Sequence, residues 1–209
     1  MLCLKENNTK ISAVVFDIGN VLLNADTGRL YFESGIPAEV IPRIKAVLDG
    51  NPEWPRYDRG ELTLEEIEAI AIRKEPALRH EIAIALRKWP HIITPIEENI
   101  GFFYRVKEAG VRTYLLSNWM KDTYGIIKDR FIFLSDVDGA VISGECHLTK
   151  PDPAIFRLLL DRYPEIIPEE TLFIDDRADN CKAGADAGLI PVLLPPCGAI
   201  DDIVHFSEI

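Results

Sequence analysis

Four short apolar runs, each stopping abruptly, constrain this chain more than any other feature. They cover residues 11–16 ahead of Asp17, 111–116 ahead of Ser117, 171–174 ahead of Asp175 and 191–194 ahead of Pro195. A fifth, weaker run spans 140–142. Short segments rich in Val, Ile and Leu on both faces suit buried parallel strands covered by helices. Helical apolar spacing fills the intervals at 95–109, 121–130, 153–162 and 180–187. Such alternation predicts an α/β fold with a doubly wound parallel sheet, whose ligands bind beyond the carboxyl ends of the strands.

The ~90 residues between the first two strands carry no strand signal and are far too long for one crossover. Residues 38–48, 63–73 and 76–87 have helical spacing instead. We read 25–94 as an inserted helical cap, with 1–24 and 95–209 forming the core. Thr63 followed by Glu66 fits a capping box at one helix start. Trp54 and Trp89 read more naturally as cap core than as substrate contacts. Gly184 and Gly188 read as small residues that let a helix pack closely.

The 209 residues suffice for one core domain and a modest insertion. Hydrophobic residues make up 47% and charged residues 27%, as in ordinary globular proteins. No apolar run approaches the ~20 residues that span a bilayer, so no membrane partner is expected. Residues 1–10 lack the apolar stretch of a signal peptide, which predicts a cytoplasmic location. There the Asn7-Asn8-Thr9 acceptor carries no meaning. Cys3, Cys146, Cys181 and Cys197 are widely spaced and read as reduced thiols. Cys146 beside His147 is two residues short of a metal ligand set. The net charge of −11 argues against nucleic acid as a partner. It also makes an anionic substrate paradoxical unless a divalent cation is bound locally.

The strand-terminal residues supply that possibility. Taken singly, each has an ordinary explanation: Asp17 as a turn acceptor, Ser117-Asn118 as a helix cap, Lys150-Pro151 as a surface loop, Asp175-Asp176 as another cap. In the predicted sheet all four loops reach one crevice. Together they offer a carboxylate nucleophile, a hydroxyl, an amide, a cation and an acidic pair. Phosphoryl transfer uses such a set: a carboxylate can attack phosphorus, and cations with hydrogen-bond donors neutralise the transferring oxygens. Asp17 and Asp176 suit Mg²⁺, which prefers one or two carboxylates plus water and phosphate, while Lys150 and Ser117 can hold phosphate oxygens.

These loops resemble four motifs of the haloacid dehalogenase superfamily. FDIGNVLLN at 16–24 looks like the first, LLSNW at 115–119 the second, LTKPDPAIF at 148–156 the third and FIDDRADN at 173–180 the fourth. YDRGELTLEE at 57–66 resembles a cap stretch of the subgroup containing bacterial glucose-1-phosphate phosphatases and the phosphatase domain of soluble epoxide hydrolase. The resemblance implies a Rossmann-like core with a small helical cap, and a magnesium-dependent phosphatase forming an aspartyl-phosphate. It implies that Asp17 is the nucleophile, that the Gly19 carbonyl and Asp176 bind Mg²⁺, and that Asp175 assists through water or as a further ligand. Ser117 and Asn118 would contact the phosphate, Lys150 would bridge it to Asp17, and Asn180 would orient its neighbours. Asp179 is expected to cap the next helix. Tyr57, Arg59 and Trp119 are candidates to line the substrate space, although a salt bridge for Arg59 and packing for Tyr57 are equally open.

One position departs from the pattern. Most phosphatases of this superfamily carry a second Asp two residues after the nucleophile as the general acid and base. Here that residue is Gly19. Losing general acid–base help costs about 10²–10⁴-fold, so the substrate is expected either to have a good leaving group, such as the anomeric hydroxyl of a sugar 1-phosphate, or to supply its own proton relay. The same gap weighs against a phosphomutase. A hydrolytic 2-haloacid dehalogenase also lacks the second Asp, but the Asp175-Asp176 pair suits a cation and would repel a haloacid. A catalytically silent domain of the same fold is the third reading. A small phosphorylated metabolite is the expected substrate, and oligomeric state is not legible.

Overall fold

The computed structural model describes residues 2–4, 9–25, 27–195, 198–200 and 204–206. The Cys3 side chain, Cys197, and Asn7 and Asn8 of the acceptor sequence lie outside these. The chain opens with β1 (Leu2–Leu4) and β2 (Lys10–Ile11), then enters β3 (Ala13–Phe16). After β4 (Leu23–Asn24) come the helices α1 (Thr27–Glu33), α2 (Ile41–Leu48), α3 (Trp54–Asp58), α4 (Leu64–Lys74) and α5 (Arg79–Ile92). Next is β5 (Thr94–Pro95), paired antiparallel with β4, so the inserted helices leave and rejoin the core side by side. The chain continues through α6 (Glu97–Glu108), β6 (Arg112–Ser117), α7 (Lys121–Arg130), β7 (Gly139–Ile142) and α8 (Ser143–Cys146). It ends with α9 (Pro153–Arg162), β8 (Thr171–Asp175), α10 (Ala178–Asp186), β9 (Ile190–Leu193) and β10 (Val204–Phe206).

Five parallel strands form the central Rossmann-like sheet in the order β7-β6-β3-β8-β9. The chain winds outward from β3 through β6 to β7, then returns across β3 to β8 and β9. This reversal leaves a crevice beyond the carboxyl ends of β3, β6 and β8. Alternation along β3 explains why the strands read as continuously apolar. Val14 and Phe16 join the core that includes Phe102, Phe103 and Ile127 of α6 and α7. Ala13 and Val15 join the opposite core with Ile155, Phe156 and Leu159 of α9. A parallel sheet covered on both faces has no polar side to show.

The inserted helices have a core of their own, in which Leu30, Ile44 and Leu48 meet Ala71, Ile82 and Leu86. Thr63 and Glu66 form the expected capping box: Thr63 Oγ1 accepts from Glu66 N–H, and the Glu66 carboxylate accepts from Thr63 N–H. Gly60 fixes the insertion against the core. It has a left-handed φ of +66°, and a Cβ there would sit 2.2 Å from the Gly144 carbonyl oxygen. Only glycine meets both demands without strain. Residues 95 and 96 differ from expectation: the helix begins at Glu97, because Thr94–Pro95 is drawn into pairing with β4. Among the described residues, no helix is long and apolar enough to cross a membrane.

Candidate active site

Asp17 directly follows β3, Ser117 closes β6 and Asp175 closes β8. Three adjacent strands thus deliver three polar side chains to one edge. Lys150, from the segment between α8 and α9, places its ammonium 3.0 Å from Asp17 Oδ1 and 2.6 Å from Asp175 Oδ2. Three donors converge on Asp17 Oδ1: the Ile18 N–H at 2.8 Å, the Ser117 hydroxyl at 2.7 Å and the Lys150 ammonium. Among the described residues no donor reaches Oδ2, so that oxygen keeps its lone pairs. Burial raises the Asp17 carboxyl to about 6, against the opposing pull of Lys150. Burial would lower Lys150, but Asp17 and Asp175 overcome it and hold the ammonium protonated.

Asp175 is fully buried and already engaged. It accepts from Lys150, from Asn180 Nδ2 at 3.0 and 3.1 Å, and from the Arg177 N–H at 2.9 Å. Those bonds suit a supporting carboxylate better than a direct ligand, and they give Asn180 its orienting contact. Asp176 is partly exposed, and its Oδ2 accepts from Asn20 Nδ2 at 3.0 Å. Asn20 adopts a left-handed φ of 58°, a conformation Asn tolerates better than most side chains. Asn118 is more committed than its sequence position suggests. Its Oδ1 accepts from the Lys150 N–H at 2.8 Å, and its Nδ2 donates to the Lys150 carbonyl at 2.9 Å. This reciprocal pair clamps the lysine backbone and leaves one amide hydrogen for a ligand.

Oxygen ligands of Asp17, Asp175 and Asp176 lie within 4.8 Å of one another. One ammonium among three carboxylates leaves excess negative charge, which a hard, oxygen-preferring divalent cation neutralises. The donor set therefore fits Mg²⁺. Cys146 and His147 do not join a metal-ligating group among the described residues; His147 Nδ1 instead donates to the Arg59 carbonyl at 2.7 Å.

Two cavities open onto this cluster. A polar one of about 440 Å³ is walled by Lys150, Asp176, Arg177 and Asn180, among others. A second, of about 300 Å³, runs under the inserted helices and is lined by Leu30, Leu48, Tyr57, Leu86, Trp89 and Trp119. Asp17, Gly19, Asp58 and Asn118 line both, so they mark the neck between them. Trp89 belongs to the insertion core and also walls the chamber, with its ring stacked 5.4 Å from Trp119. Trp54 has the same double position.

Tyr57 and Trp119 thus wall the apolar cavity, and Arg59 does not. Arg59 is not part of either cavity wall; its Nε donates to Glu61 Oε1 at 2.6 Å. Asp179 is also placed differently. Arg177 holds the N-cap position of α10, while Asp179 sits in the first turn, where its carboxylate pairs with Arg177 at 2.8 Å and accepts from the Asn180 N–H. Sequence reasoning passed over Asn20, Asp58 and Ser143. The first two lie inside quoted motifs, next to residues that were singled out. Ser143 carried no signal, because its role depends on the approach of α3.

The sheet order, the carboxylates at adjacent strand ends and the buried lysine between them define a doubly wound α/β protein with an acidic, lysine-bridged site at its carboxyl edge. Residues 11–188 match the model of the haloacid dehalogenase-like hydrolases, and the chain belongs to that family. It is 28% identical over 193 residues to acyl-CoA dehydrogenase family member 10 of Mus musculus, covering 85% of this chain but only 17% of that protein. It is 20% identical to a sesquiterpene phosphatase of Aspergillus oryzae, covering 87% and 89% of the two chains. Solved structures share the fold. One is a HAD family enzyme of Bacteroides thetaiotaomicron in complex with magnesium and inorganic phosphate (TM-score 0.73, 22% identity, 89% and 95% coverage). Another is the L-2-haloacid dehalogenase of Xanthobacter autotrophicus with chloropropionic acid covalently bound (TM-score 0.65, 16% identity, 88% and 77% coverage).

Proposed function

We propose that this chain is a magnesium-dependent phosphatase that hydrolyses a small phosphate monoester through an aspartyl-phosphate on Asp17. The carrying observation is the state of Asp17: one oxygen is held by three donors and the other is uncommitted, at the neck of two cavities. Asp17, the Gly19 carbonyl and Asp176 would hold Mg²⁺, with Asp175 in support. When bound, the ion would neutralise charge on the phosphoryl oxygens. Asp17 Oδ2 attacks phosphorus while Ser117 and Lys150 fix Oδ1 and aim the carboxylate. Lys150 and the remaining Asn118 amide hydrogen contact phosphate oxygens, and Asn180 and Asp175 keep the lysine in place. Water then cleaves the acyl phosphate and restores Asp17.

Residues 25–94 act in this reading as a cap that encloses the leaving group and excludes water. The chamber they cover is walled largely by aromatic and aliphatic side chains. That lining favours an apolar or aromatic alcohol over a sugar, whose hydroxyls would find few partners there. The name of the sesquiterpene phosphatase relative supports the same direction. A 2-haloacid dehalogenase is the second reading, favoured by the apolar chamber and the shared fold. The third carboxylate, Asp176, weighs against it, since that chemistry needs no cation.

The test is phosphate release from isoprenyl, aryl, sugar 1- and sugar 6-phosphates, with Mg²⁺ or chelator, on wild type and Asp17→Asn. Mg²⁺-dependent release that disappears in the variant is expected, with apolar esters preferred. No release from any ester by folded protein would sink the proposal; chloride release from 2-chloropropionate would then support the dehalogenase.

A further inference from the structure

We propose that Asp58, on the inserted helices, supplies the proton to the leaving group in place of the acid that Gly19 cannot provide. This rests on the phosphatase reading and deepens it. Gly19 carries no side chain and so no proton to give, although a Cβ there would make only ordinary contacts, with the Trp119 ring at 3.7 Å and Ala25 at 3.9 Å.

Four residues form the neck where phosphate and leaving group must meet: Asp17, Gly19, Asn118 and Asp58. Asp17 is the nucleophile, Gly19 has no side chain, and an amide does not titrate. Asp58 is the remaining acid. The tyrosines of the chamber are poor substitutes, since burial pushes Tyr31 to about 12 and Tyr57 well above the ordinary phenol range. Burial likewise raises the Asp58 carboxyl to about 6, with Arg59 opposing, which keeps a useful fraction protonated near neutrality.

Asp58 is also held in place rather than carried on a loose element. The Ser143 hydroxyl donates to the Asp58 carbonyl at 2.6 Å and accepts from the Trp119 N–H at 2.8 Å. His147 holds the next carbonyl, that of Arg59, at 2.7 Å, and Gly60 packs on Gly144. Three successive residues of the insertion are thus pinned to the ends of β6 and β7. Among the described residues, no hydrogen bond occupies the Asp58 carboxylate, which remains available to a ligand.

The proton balance closes over two steps. As Asp17 Oδ2 bonds to phosphorus, the bond from phosphorus to the ester oxygen breaks, and that oxygen takes the proton of Asp58 and departs as the alcohol. Water then attacks the phosphoryl group and gives its proton to the Asp58 carboxylate. The bond to Asp17 breaks, phosphate leaves, and both aspartates return to their starting forms.

The experiment measures first-turnover alcohol release across esters of graded leaving-group acidity, from p-nitrophenyl to alkyl phosphates, with Mg²⁺ present. With an acid in place, wild-type rates depend shallowly on leaving-group pKa; a steep dependence in wild type overturns the proposal without any variant. Asp58→Asn should steepen the dependence, lowering the alkyl-to-nitrophenyl rate ratio by about 10²–10⁴-fold. Asp58→Glu, which keeps a carboxyl, should restore much of that ratio. Equal slowing of all esters in Asp58→Asn would show a positioning role only and would overturn the proton transfer. Absence of release from every ester in wild type overturns the phosphatase reading itself, and the role of Asp58 with it.

Discussion

Replacing Lys150 with Met would leave two buried carboxylates facing each other across the gap the ammonium now fills. With an effective dielectric constant of about 20, contacts at 3.0 and 2.6 Å give roughly 12 kcal/mol of gross attraction. Repulsion between Asp17 and Asp175 oxygens within 4.8 Å returns at least about 3.5 kcal/mol of it. Desolvation of three ions, at several kcal/mol each, absorbs most of the remainder. Breaking such a buried arrangement by removing one partner costs about 3–5 kcal/mol in practice. Lys150→Met should therefore lower unfolding free energy by about that amount at pH 7 in chelator. Near m ≈ 2 kcal/mol per molar, the urea midpoint would fall by roughly 1.5–2.5 M.

The pH dependence follows from the sign. Burial already raises the folded-state pKa of Asp17 to about 6 against the pull of Lys150, so without the ammonium it rises further. The folded variant is then penalised above that raised pKa and relieved as a proton binds below it. The deficit against wild type should shrink between pH 7 and pH 5. Urea titrations of both proteins at the two pH values measure it. A deficit below about 1 kcal/mol at pH 7 would refute the reasoning, since a buried broken pair costs more than a surface one. An equal deficit at both pH values would refute it too.

Two further outcomes are expected. In the metal-free protein, burial raises the Asp17 carboxyl to about 6, above its ordinary value of 3.8. Its raised pKa favours the folded state at low pH, and that contribution is lost as pH rises from about 4 to 6. Because Mg²⁺ requires the carboxylate, its addition should raise Tm more at pH 7.5 than at pH 5, as calorimetry with and without chelator will report; equal shifts would contradict the assignment. Gly60→Ala forces a Cβ into the Gly144 carbonyl oxygen and strains a left-handed backbone, so a loss of about 2 kcal/mol or more is expected in urea unfolding. Turnover should fall with it, because Asp58 loses its anchorage.

Much of the catalytic edge was legible in the residues themselves. A strand buried on both faces favours apolar side chains, with Thr113 and Thr171 as buried exceptions near the strand starts, so the polar residue that ends each run marks the edge where β3, β6 and β8 end. This locates Asp17, Ser117 and Asp175, and the Thr63 capping box is equally local. Such features depend on neighbours one to four residues away, where backbone geometry is set by short-range sterics and hydrogen bonding.

What lay out of reach depended on contacts between distant segments. The sequence shows Asn118 as a polar residue at a strand end; only the approach of residue 150, thirty-two positions on, turns it into a clamp. Arg59 and Asp58 are adjacent, and nothing in the motif ranks them. The single-turn α3, pinned by Ser143 and His147, places Asp58 at the neck and leaves Arg59 with Glu61. The chamber is likewise built from Trp89 and Trp119, brought into stacking by the fold of an insertion whose placement no periodicity reports. The sequence by itself determined which chemical groups stand at the strand ends, because burial of the strands demanded it. The tertiary structure decided which partners occupy those groups and what space opens beside them, because long-range packing carries no local signature.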